Sequence, residues 1–431
     1  MERRNLLQLT GFYENELTNQ ILSFWLPRCL DQVNGGYFNC FDNKGENLLS
    51  HDKYTWSQGR FAWLFAKLAS TESPIFSAAQ RDLFIELSRS GCDFLMKNCL
   101  IDDNDWRCVF VMDETGSPKE VSGCDTLDAS IYADCFVVSA MAQFSNVSGD
   151  GQKYRFGRNL YESCLERVRS GRFETFPYPL SPQYRAHGIP MILSNTTAEL
   201  LKAAQQFEPD YCPVLRANLQ SFVTDILDNF TDEENVIHEV IARENTWIPG
   251  LLGQHANPGH TLEDMWFMLE ASDILAKPEW MNKIAAIAKK ALQIGWDEEF
   301  GGMLHFSSVN GGWPTGLSAG SENEPMLLQT RAGWSDKLWW VHSEALYTAL
   351  LCYDRTGDEE FLIWHNIIFE YVFSVFPNPD PEIREWIQIL KRDGTPQDKV
   401  VALPVKDPFH IIRNLILLIE LLYSHTARKE T

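Results

Sequence analysis

Apolar residues recur at steps of three and four positions along most of the chain, and this spacing predicts amphipathic helices. The clearest run covers positions 342–353, where one helical face carries Ala345, Leu346, Ala349, Leu350 and Tyr353. The same period returns in the segments 61–68, 139–144, 198–207, 265–275, 284–294, 361–376 and 410–423. Patterns typical of strands are short and lie beside pairs of glycines. The chain is therefore predicted to be all-α, with short β-hairpins in its loops.

Two loop segments resemble each other. One contains Gly35-Gly36-Tyr37-Phe38, and the other contains Gly301-Gly302-Met303-Leu304. Each follows a predicted helix and continues from the glycine pair into hydrophobic residues that suit a short strand. With helices spaced roughly every 25 to 30 residues, this repetition indicates stacked helical hairpins. Such hairpins can close into a toroid around a central cavity, although an open solenoid would show the same pattern.

Composition and charge narrow the class of protein. The 431 residues contain no Gly/Ser/Pro-rich linker and no block of like charges, so we expect one domain over residues 1–431. A formal net charge of −22 opposes binding to nucleic acid and to anionic membranes, and neither kind of partner is predicted. The most apolar segment, 361–376, carries His365, Asn366 and Glu370 and is too polar to span a bilayer.

The cysteines and the first residues indicate the compartment. None of the ten cysteines forms a C-x-x-C pair, which argues against a zinc site, and a chain of this length does not need disulfides. The sequence begins Met1-Glu2-Arg3-Arg4 and continues without the apolar segment of a secretory signal. We therefore expect a cytoplasmic protein with reduced thiols and no bound metal.

One motif places a histidine at the start of a helix. Asn257-Pro258-Gly259 is a turn, and an apolar helical run follows His260. The helix dipole disfavours imidazolium at this position and keeps the ring neutral, as a general base requires. Glu263 lies three residues on, on the same face, and can fix which ring nitrogen carries the proton. A histidine that only caps the helix would explain the motif equally well.

Two further clusters combine aromatic, acidic and basic residues. Trp340 and Glu344 share a helical face, a pairing that is common in sugar sites and also occurs in protein cores. His410 and Arg413 stand three residues apart at the start of the last predicted helix, so their side chains can point together, in a site or as a surface pair.

A fourth cluster surrounds an arginine with tryptophans. Arg60 lies between Trp56 and Trp63 on one helical stripe, where a buried guanidinium requires an anionic partner. That partner is either a ligand oxyanion or a structural carboxylate. The chain shows no nucleophile elbow, phosphate-binding loop or dinucleotide fingerprint after a predicted strand.

Taken in order along the chain, these motifs resemble the N-acylglucosamine 2-epimerase family. The similarity runs from about residue 24 to about residue 422 and rests on an ordered set: 35–38, 56–63, Tyr132 with 134–136, 190–193 with Asn195, 257–266, 296–302, 337–344 and 409–413. The motifs at 257–266 and 337–344 look more like the acylglucosamine branch of the family than the cellobiose branch. The segments 387–389 and 404–409 differ from the family pattern.

The resemblance implies an (α/α)6 barrel and a reaction at carbon 2 of a ring-opened sugar. By motif, His260 and His410 would transfer protons, Arg60 would hold the developing enediolate oxygen, and Glu344 would take part in catalysis. The residues that would bind or orient the sugar are Glu263, Trp340, Asn195, Trp56 and Arg413. No cofactor would be required for the chemistry, although some members use a nucleotide such as ATP as an activator. Members often pair as homodimers.

The expected activity is the interconversion of N-acetylglucosamine and N-acetylmannosamine. Inversion at carbon 2 requires removal of a proton on one face and its return on the other, which two imidazoles can perform without turning the intermediate over. The main alternative is a mannose/glucose 2-epimerase or an aldose–ketose isomerase of the same family. A glycosidase and a non-catalytic sugar-binding protein are the alternatives from other classes.

Overall fold

The computed structural model describes residues 3–428 and is mostly helical, as the apolar spacing predicted. Within these residues, no helix combines the length and the apolar character that crossing a bilayer requires. The α-helices are α1 (Arg3–Asn15), α2 (Leu22–Trp25), α3 (Thr55–Ser70), α4 (Ala78–Asn98), α5 (Ile131–Ser148), α6 (Gly151–Ser170), α7 (Gly188–Phe207), α8 (Cys212–Asp225), α9 (Pro258–Leu275), α10 (Met281–Gly295), α11 (Pro325–Gly333), α12 (Trp339–Thr356), α13 (Glu359–Val375) and α14 (Phe409–Arg428).

The strands are short, lie between the helices and pair in an antiparallel sense. Some pairs are the expected hairpins, and others join segments that are far apart in sequence. Their bounds are β1 (Cys40–Phe41), β2 (Leu48–Ser50), β3 (Lys53–Tyr54), β4 (Leu100–Asp102), β5 (Asp105–Cys108), β6 (Val111–Met112), β7 (Pro118–Lys119), β8 (Tyr184–Ala186), β9 (Val240–Ala242), β10 (His255–Ala256), β11 (Ser307–Ser308), β12 (Lys337–Leu338) and β13 (Ile389–Leu390). β3 pairs with β6, and β6 with β7; the other pairs are β1–β2, β4–β5, β8–β9, β10–β11 and β12–β13.

The described residues form two compact units. The first comprises residues 3–177, 196–216 and 402–428, and the second comprises residues 178–195 and 217–401. In the first unit α3 packs against α4, α5 and α14, and α5 packs against α6. In the second unit α12 packs against α9 and α13, and α9 packs against α10. The apolar faces of these helices form the core of each unit, because burying them removes the most hydrophobic surface from water.

Local signals set several helix ends. At the start of α4 the Ser77 hydroxyl accepts a hydrogen bond from the Gln80 N–H, and the Gln80 side chain accepts one from the Ser77 N–H. This reciprocal pairing satisfies two backbone donors that the helix itself cannot use. Gly149 and Gly357 follow α5 and α12 with φ angles of +76° and +71°, a conformation that ends a helix and is least costly for glycine.

In the first unit, a buried ion pair fixes the first glycine loop to the start of α3. Lys53 Nζ lies 2.7 Å from Asp31 Oδ2 and donates a second hydrogen bond of 2.7 Å to the Gly35 carbonyl. One residue after the glycine pair, the Tyr37 N–H donates to the Gln58 side-chain oxygen on α3 at 2.7 Å. The loop is therefore tied to α3 at two points, one ionic and one through the backbone.

In the second unit, the other glycine loop is tied to α12 by the same contacts. Lys337 Nζ lies 3.0 Å from Asp297 Oδ2 and 3.1 Å from the Gly302 carbonyl. One residue after the glycine pair, the Met303 N–H donates to His342 Nε2 on α12 at 2.9 Å. The resemblance between the two sequence segments is thus confirmed as a repeated structural element.

His342 belongs to this loop support. Its Nδ1 lies 2.7 Å from the Leu338 carbonyl, so the proton of the neutral ring is on Nδ1 and the lone pair of Nε2 accepts the Met303 N–H. Burial lowers the pKa of His342 to about 3, which keeps the ring neutral. In the first unit the same acceptor position holds an amide, Gln58. We therefore assign His342 a structural role.

Candidate active site

In the first unit, Arg60 on α3 is surrounded by aromatic rings. Its guanidinium carbon lies 5.0 Å from the ring centroid of Trp56, 4.3 Å from that of Phe136 and 4.9 Å from that of Phe409. Its Nη1 forms an ion pair with Asp407, the structural carboxylate that the sequence left open as one partner. The rings and the carboxylate hold the cation in one orientation, which suits stabilisation of a developing oxyanion.

His410 and Arg413 meet at the start of α14, as their spacing predicted. Arg413 Nη2 lies 3.2 Å from His410 Nδ1, and both residues are buried. A guanidinium can only donate hydrogen bonds, so His410 Nδ1 is the acceptor and the neutral ring carries its proton on Nε2. The Phe409 ring lies 4.5 Å from the Arg413 guanidinium carbon and 4.9 Å from that of Arg60, so one ring contacts both cations.

In the second unit, His260 lies at the start of α9, where the turn motif predicted a histidine. The Asn257 side chain caps the helix by accepting the His260 N–H at 3.1 Å, and Pro258 occupies the first helical position. The imidazole centroid lies 5.3 Å from that of Trp340, and Gly259 permits the approach because a Cβ there would lie 2.5 Å from the Trp340 ring. The backbone thus brings His260 against an aromatic face.

A carboxylate that sequence reasoning missed fixes the His260 ring. Glu239 Oε1 lies 2.8 Å from His260 Nδ1, and the glutamate is buried. Burial alone would raise the pKa of Glu239, but the charges of His260 and His187 and the hydrogen bond from His260 outweigh it and hold that pKa well below its usual range. An ionised carboxylate accepts the Nδ1 proton, which leaves the Nε2 lone pair of the neutral ring as the basic site.

Two buried carboxylates lie near each other in the second unit. Glu344 on α12 accepts a hydrogen bond of 2.8 Å from Trp266 Nε1 on α9. Carboxylate oxygens of Glu263 and Glu344 lie within 4.8 Å of each other. Such acceptors suit the hydroxyl groups of a sugar, and the Trp340 face suits its C–H surface.

The repeated loops give several site residues equivalent positions. Counted from the buried lysine of each loop, Trp56 and Trp340 stand three residues on, and Arg60 and Glu344 stand seven residues on. α3 and α12 therefore carry a tryptophan and a charged residue one turn apart, with a cation in the first unit and an anion in the second.

Two residues of this region, His305 and Glu239, were not predicted from the sequence. The buried ring of His305 has its centroid 6.1 Å from that of Trp340, and burial lowers the pKa of His305 to about 3. No local motif pointed to it. Glu239 stands directly before β9, and only its register beside the end of β8 brings it to α9. Asn195 is half-buried on α7, and its role in sugar binding stays a prediction.

Comparison with known proteins identifies the family. The model of the N-acylglucosamine 2-epimerase (GlcNAc 2-epimerase) family matches residues 36–413. The chain belongs to this family. It is 28% identical to the N-acylglucosamine 2-epimerase of Mus musculus over 100% of this chain and 95% of the mouse protein. It is 23% identical to a cellobiose 2-epimerase of Ruminococcus albus over 92% of this chain and 94% of that protein.

Solved structures agree at the level of the fold. The cellobiose 2-epimerase of Bacillus thermoamylovorans B4167 superposes with a TM-score of 0.76, 18% identity and coverage of 96% of this chain and 99% of that chain. The predicted resemblance is therefore confirmed, and the protein is an epimerase-type isomerase.

Proposed function

We propose that this family member is an N-acyl-D-glucosamine 2-epimerase that interconverts N-acetylglucosamine and N-acetylmannosamine. The observation that carries the proposal is the hydrogen bond between His260 Nδ1 and Glu239, which makes Nε2 the basic nitrogen of a ring packed on Trp340. The match to the acylglucosamine relatives supports the choice of substrate.

The reaction begins on the open-chain sugar, where the hydrogen on carbon 2 lies next to the aldehyde. Its removal as a proton places negative charge on the aldehyde oxygen, and the Arg60 guanidinium would stabilise that enolate electrostatically. An N-acyl group on carbon 2 prevents a stable 2-ketose, so return of the proton at carbon 2 is the natural outcome.

Inversion assigns one imidazole to each face of the enolate. In the direction in which neutral His260 is the base, His410 is the acid and carries a proton on both nitrogens. Since Arg413 donates to Nδ1 of neutral His410, this contact has to open when His410 is protonated. Glu344, Glu263, Trp340, Trp56, Arg413 and Asn195 are assigned to binding and orienting the sugar, with Glu344 next to the chemistry.

Proton NMR in D2O tests the proposal. Incubation with N-acetylmannosamine should produce N-acetylglucosamine with deuterium at carbon 2. The variants His260→Asn and His410→Asn should each lose at least about 100-fold in rate, the lower end of what general acid–base catalysis contributes. A matched control is His365→Asn, which removes a buried histidine of α13 outside the proposed machinery.

Each other outcome of that assay points to a named alternative. Conversion of mannose to glucose or fructose, with the N-acetyl sugar unchanged, would indicate the free-hexose branch. Cleavage of an aryl glycoside would indicate a glycosidase. Sugar binding without deuterium incorporation at carbon 2 would indicate a non-catalytic binding protein.

The proposal extends to the architecture and the cellular setting. We propose a single (α/α)6-barrel domain over residues 1–431, which the likeness to the Bacillus enzyme over 96% of the chain supports.

All ten cysteines lie within the described residues and are unpaired, which supports a reducing, cytoplasmic compartment. No cofactor is assigned to the chemistry. A homodimer and activation by a nucleotide stay predictions, to be checked by light scattering and by adding ATP to the assay.

A further inference from the structure

A chain of buried ionisable groups extends behind His260 in the second unit. Glu239 Oε1 lies 2.8 Å from His260 Nδ1, and Glu239 Oε2 lies 3.7 Å from Nδ1 of His187. On its other side, His187 Nε2 lies 2.8 Å from Asp264 Oδ2. His187, Glu239 and Asp264 are 0%, 2% and 0% exposed. The four groups therefore follow one another in the order imidazole, carboxylate, imidazole and carboxylate. Of the four side chains, only that of His260 is partly exposed.

Backbone geometry places these groups. β8 and β9 pair with Ala186 opposite Val240, and the ladder continues one residue further, where the His187 N–H donates to the Glu239 carbonyl at 3.0 Å. Asp264 lies one turn after His260 on α9, so one helix carries both ends of the chain of groups. Two rigid elements thus hold four side chains in one arrangement.

We propose that His187 and Asp264 are positioning residues that keep Glu239 ionised, so that His260 keeps its proton on Nδ1 and presents Nε2 for proton transfer. The inference rests on the proposed function for the role of His260, and it deepens that role. It goes further by assigning a task to two residues that do not themselves touch the sugar.

The physical reason is the cost of a buried carboxylate. Without a second cation, burial would favour the protonated form of Glu239. A protonated Glu239 would donate its hydrogen to His260 Nδ1, and the ring's own proton would then move to Nε2. That tautomer has no lone pair at Nε2 and cannot act as a base there.

His187 supplies the second cation at neutral pH. Burial lowers its pKa, but Asp264 and Glu239 outweigh burial and raise it to about 9. Asp264 in turn balances the charge of the buried imidazolium, and burial raises the pKa of Asp264 itself. When His260 is neutral, the four side chains include two carboxylates and one imidazolium and therefore carry a net negative charge. They become neutral overall when His260 takes the substrate proton.

The other ionisable groups around these four do not supply that cation. Burial lowers the pKa of His255 and brings that of His305 to about 3, so both rings are neutral at pH 7. Glu263, beside Asp264 on α9, raises the pKa of Asp264 and adds no positive charge. Lys399 and His238 interact with His305 and His255, respectively, and the main shifts in the pKa of Glu239 come from burial, His260 and His187.

Nitrogen-15 NMR of the histidine rings tests the arrangement in the unaltered protein. At pH 7, His187 should be protonated on both nitrogens, and neutral His260 should carry its proton on Nδ1. A neutral His187 at this pH, or a neutral His260 protonated on Nε2, would overturn the proposal. This readout does not depend on turnover, so it decides the positioning claim even if no sugar exchanges its carbon-2 proton, a result that would instead overturn the proposed function.

The double variant His187→Gln, Asp264→Asn removes both charges and preserves polar side chains of similar size. We expect the Nε2-protonated tautomer of His260 to appear, and kcat to fall about 10- to 100-fold while KM changes less than about threefold. The acid limb of the kcat/KM profile should also move. An unchanged tautomer and pH profile in the folded variant would show a merely structural role.

A second variant and a control keep the test decisive. Asp264→Asn alone should lower the pKa of His187 toward neutrality in the same spectra, and a His187 that stays protonated to pH 9 would count against the proposal. The control His255→Gln removes a neutral buried ring near Glu239 and should leave the His260 tautomer unchanged. A tautomer shift of equal size in this control would mean that any nearby cavity, rather than the charge of His187, controls Glu239.

Discussion

At the scale of single residues, the site depends on partners far apart in sequence. Arg60 and Asp407 pair across 347 residues, and three aromatic rings enclose the guanidinium. The sequence left two partners open for Arg60, a ligand oxyanion and a structural carboxylate. The carboxylate is present in the structure and pairs with Nη1 of Arg60.

Replacing Asp407 by asparagine should destabilise the protein. The ion pair is largely buried, with side chains 12% and 7% exposed, so Arg60 would lose its anion in a place where water cannot fully replace it. We expect the free energy of unfolding, measured with urea, to fall by about 3 kcal/mol. The Phe409 N–H would still find an acceptor, because it bonds to Asp407 Oδ1 at 2.8 Å and an amide oxygen can take that place.

An exposed pair in the same unit provides the control. Arg172 and Glu166 also form an ion pair, but their side chains are 71% and 61% exposed. Glu166→Gln should change the free energy of unfolding very little. Equal losses for the two variants would contradict the argument from burial.

At the scale of elements, the two glycine loops are held by equivalent contacts, but a different side chain accepts the hydrogen bond from the backbone N–H in each loop. Each loop joins a buried aspartate to a lysine just before a helix, and each helix returns a side chain to the N–H that follows the glycine pair. The second glycine of each pair is required: a Cβ at Gly36 would lie 2.6 Å from Gln58 Oε1, and one at Gly302 would lie 2.9 Å from His342 Nε2. These loops set where α3 and α12 begin, and thus where Arg60 and Glu344 lie.

Exchanging the acceptor tests this equivalence. His342→Leu would leave the buried Met303 N–H without an acceptor and should lower the free energy of unfolding by about 1–3 kcal/mol. His342→Gln introduces the residue type that fills the same position in the first unit and should lose clearly less. Urea unfolding of the two variants side by side measures the difference, and equal losses would argue against a shared design.

At the scale of the whole molecule, buried histidines couple stability to pH. Burial lowers the folded-state pKa to about 3 for His305 and His342 and to about 4 for His365, against 6.5 for an unperturbed ring. Below pH 6.5 the unfolded chain therefore binds protons that the folded chain does not. The contribution of these neutral rings to the free energy of unfolding is therefore fully present above pH 6.5 and is lost as the pH falls toward 4.

His187 acts in the opposite direction. Its folded-state pKa is raised to about 9, so its contribution is complete below pH 6.5 and is lost as the pH rises through 9. We predict that the free energy of unfolding is greatest near pH 6.5 to 7. Between pH 6 and 4.5, full contributions from His305, His342 and His365 should lower it by about 4 kcal/mol per pH unit.

Urea unfolding across pH 4.5 to 9 checks both slopes. His342→Gln should make the acid side shallower, because it removes one of the buried neutral rings that contribute to it. Asp264→Asn should make the alkaline side shallower, because it removes the main partner of the His187 cation. An acid slope that is identical with and without His342 would contradict the assignment.

The sequence by itself determined the local features of this protein. Signals within a few residues, such as apolar spacing, turn residues and caps, predicted the helix start beside His260, the two glycine loops and the proximity of His410 to Arg413. They also predicted eight of the described helices: α3, α5, α7, α9, α10, α12, α13 and α14. The ordered motifs also identified the family, which the match over residues 36–413 confirms.

Only the tertiary structure decided which charged groups meet. Glu239 reaches His260 across 21 residues, and His187 reaches Asp264 across 77. No periodicity or motif encodes such pairs, because they depend on the register of β8 with β9 and on the packing of α9 beside them. A buried carboxylate is stabilised by a cation that lies close to it only in the folded chain. The residues around the carboxylate in the sequence therefore do not identify that cation.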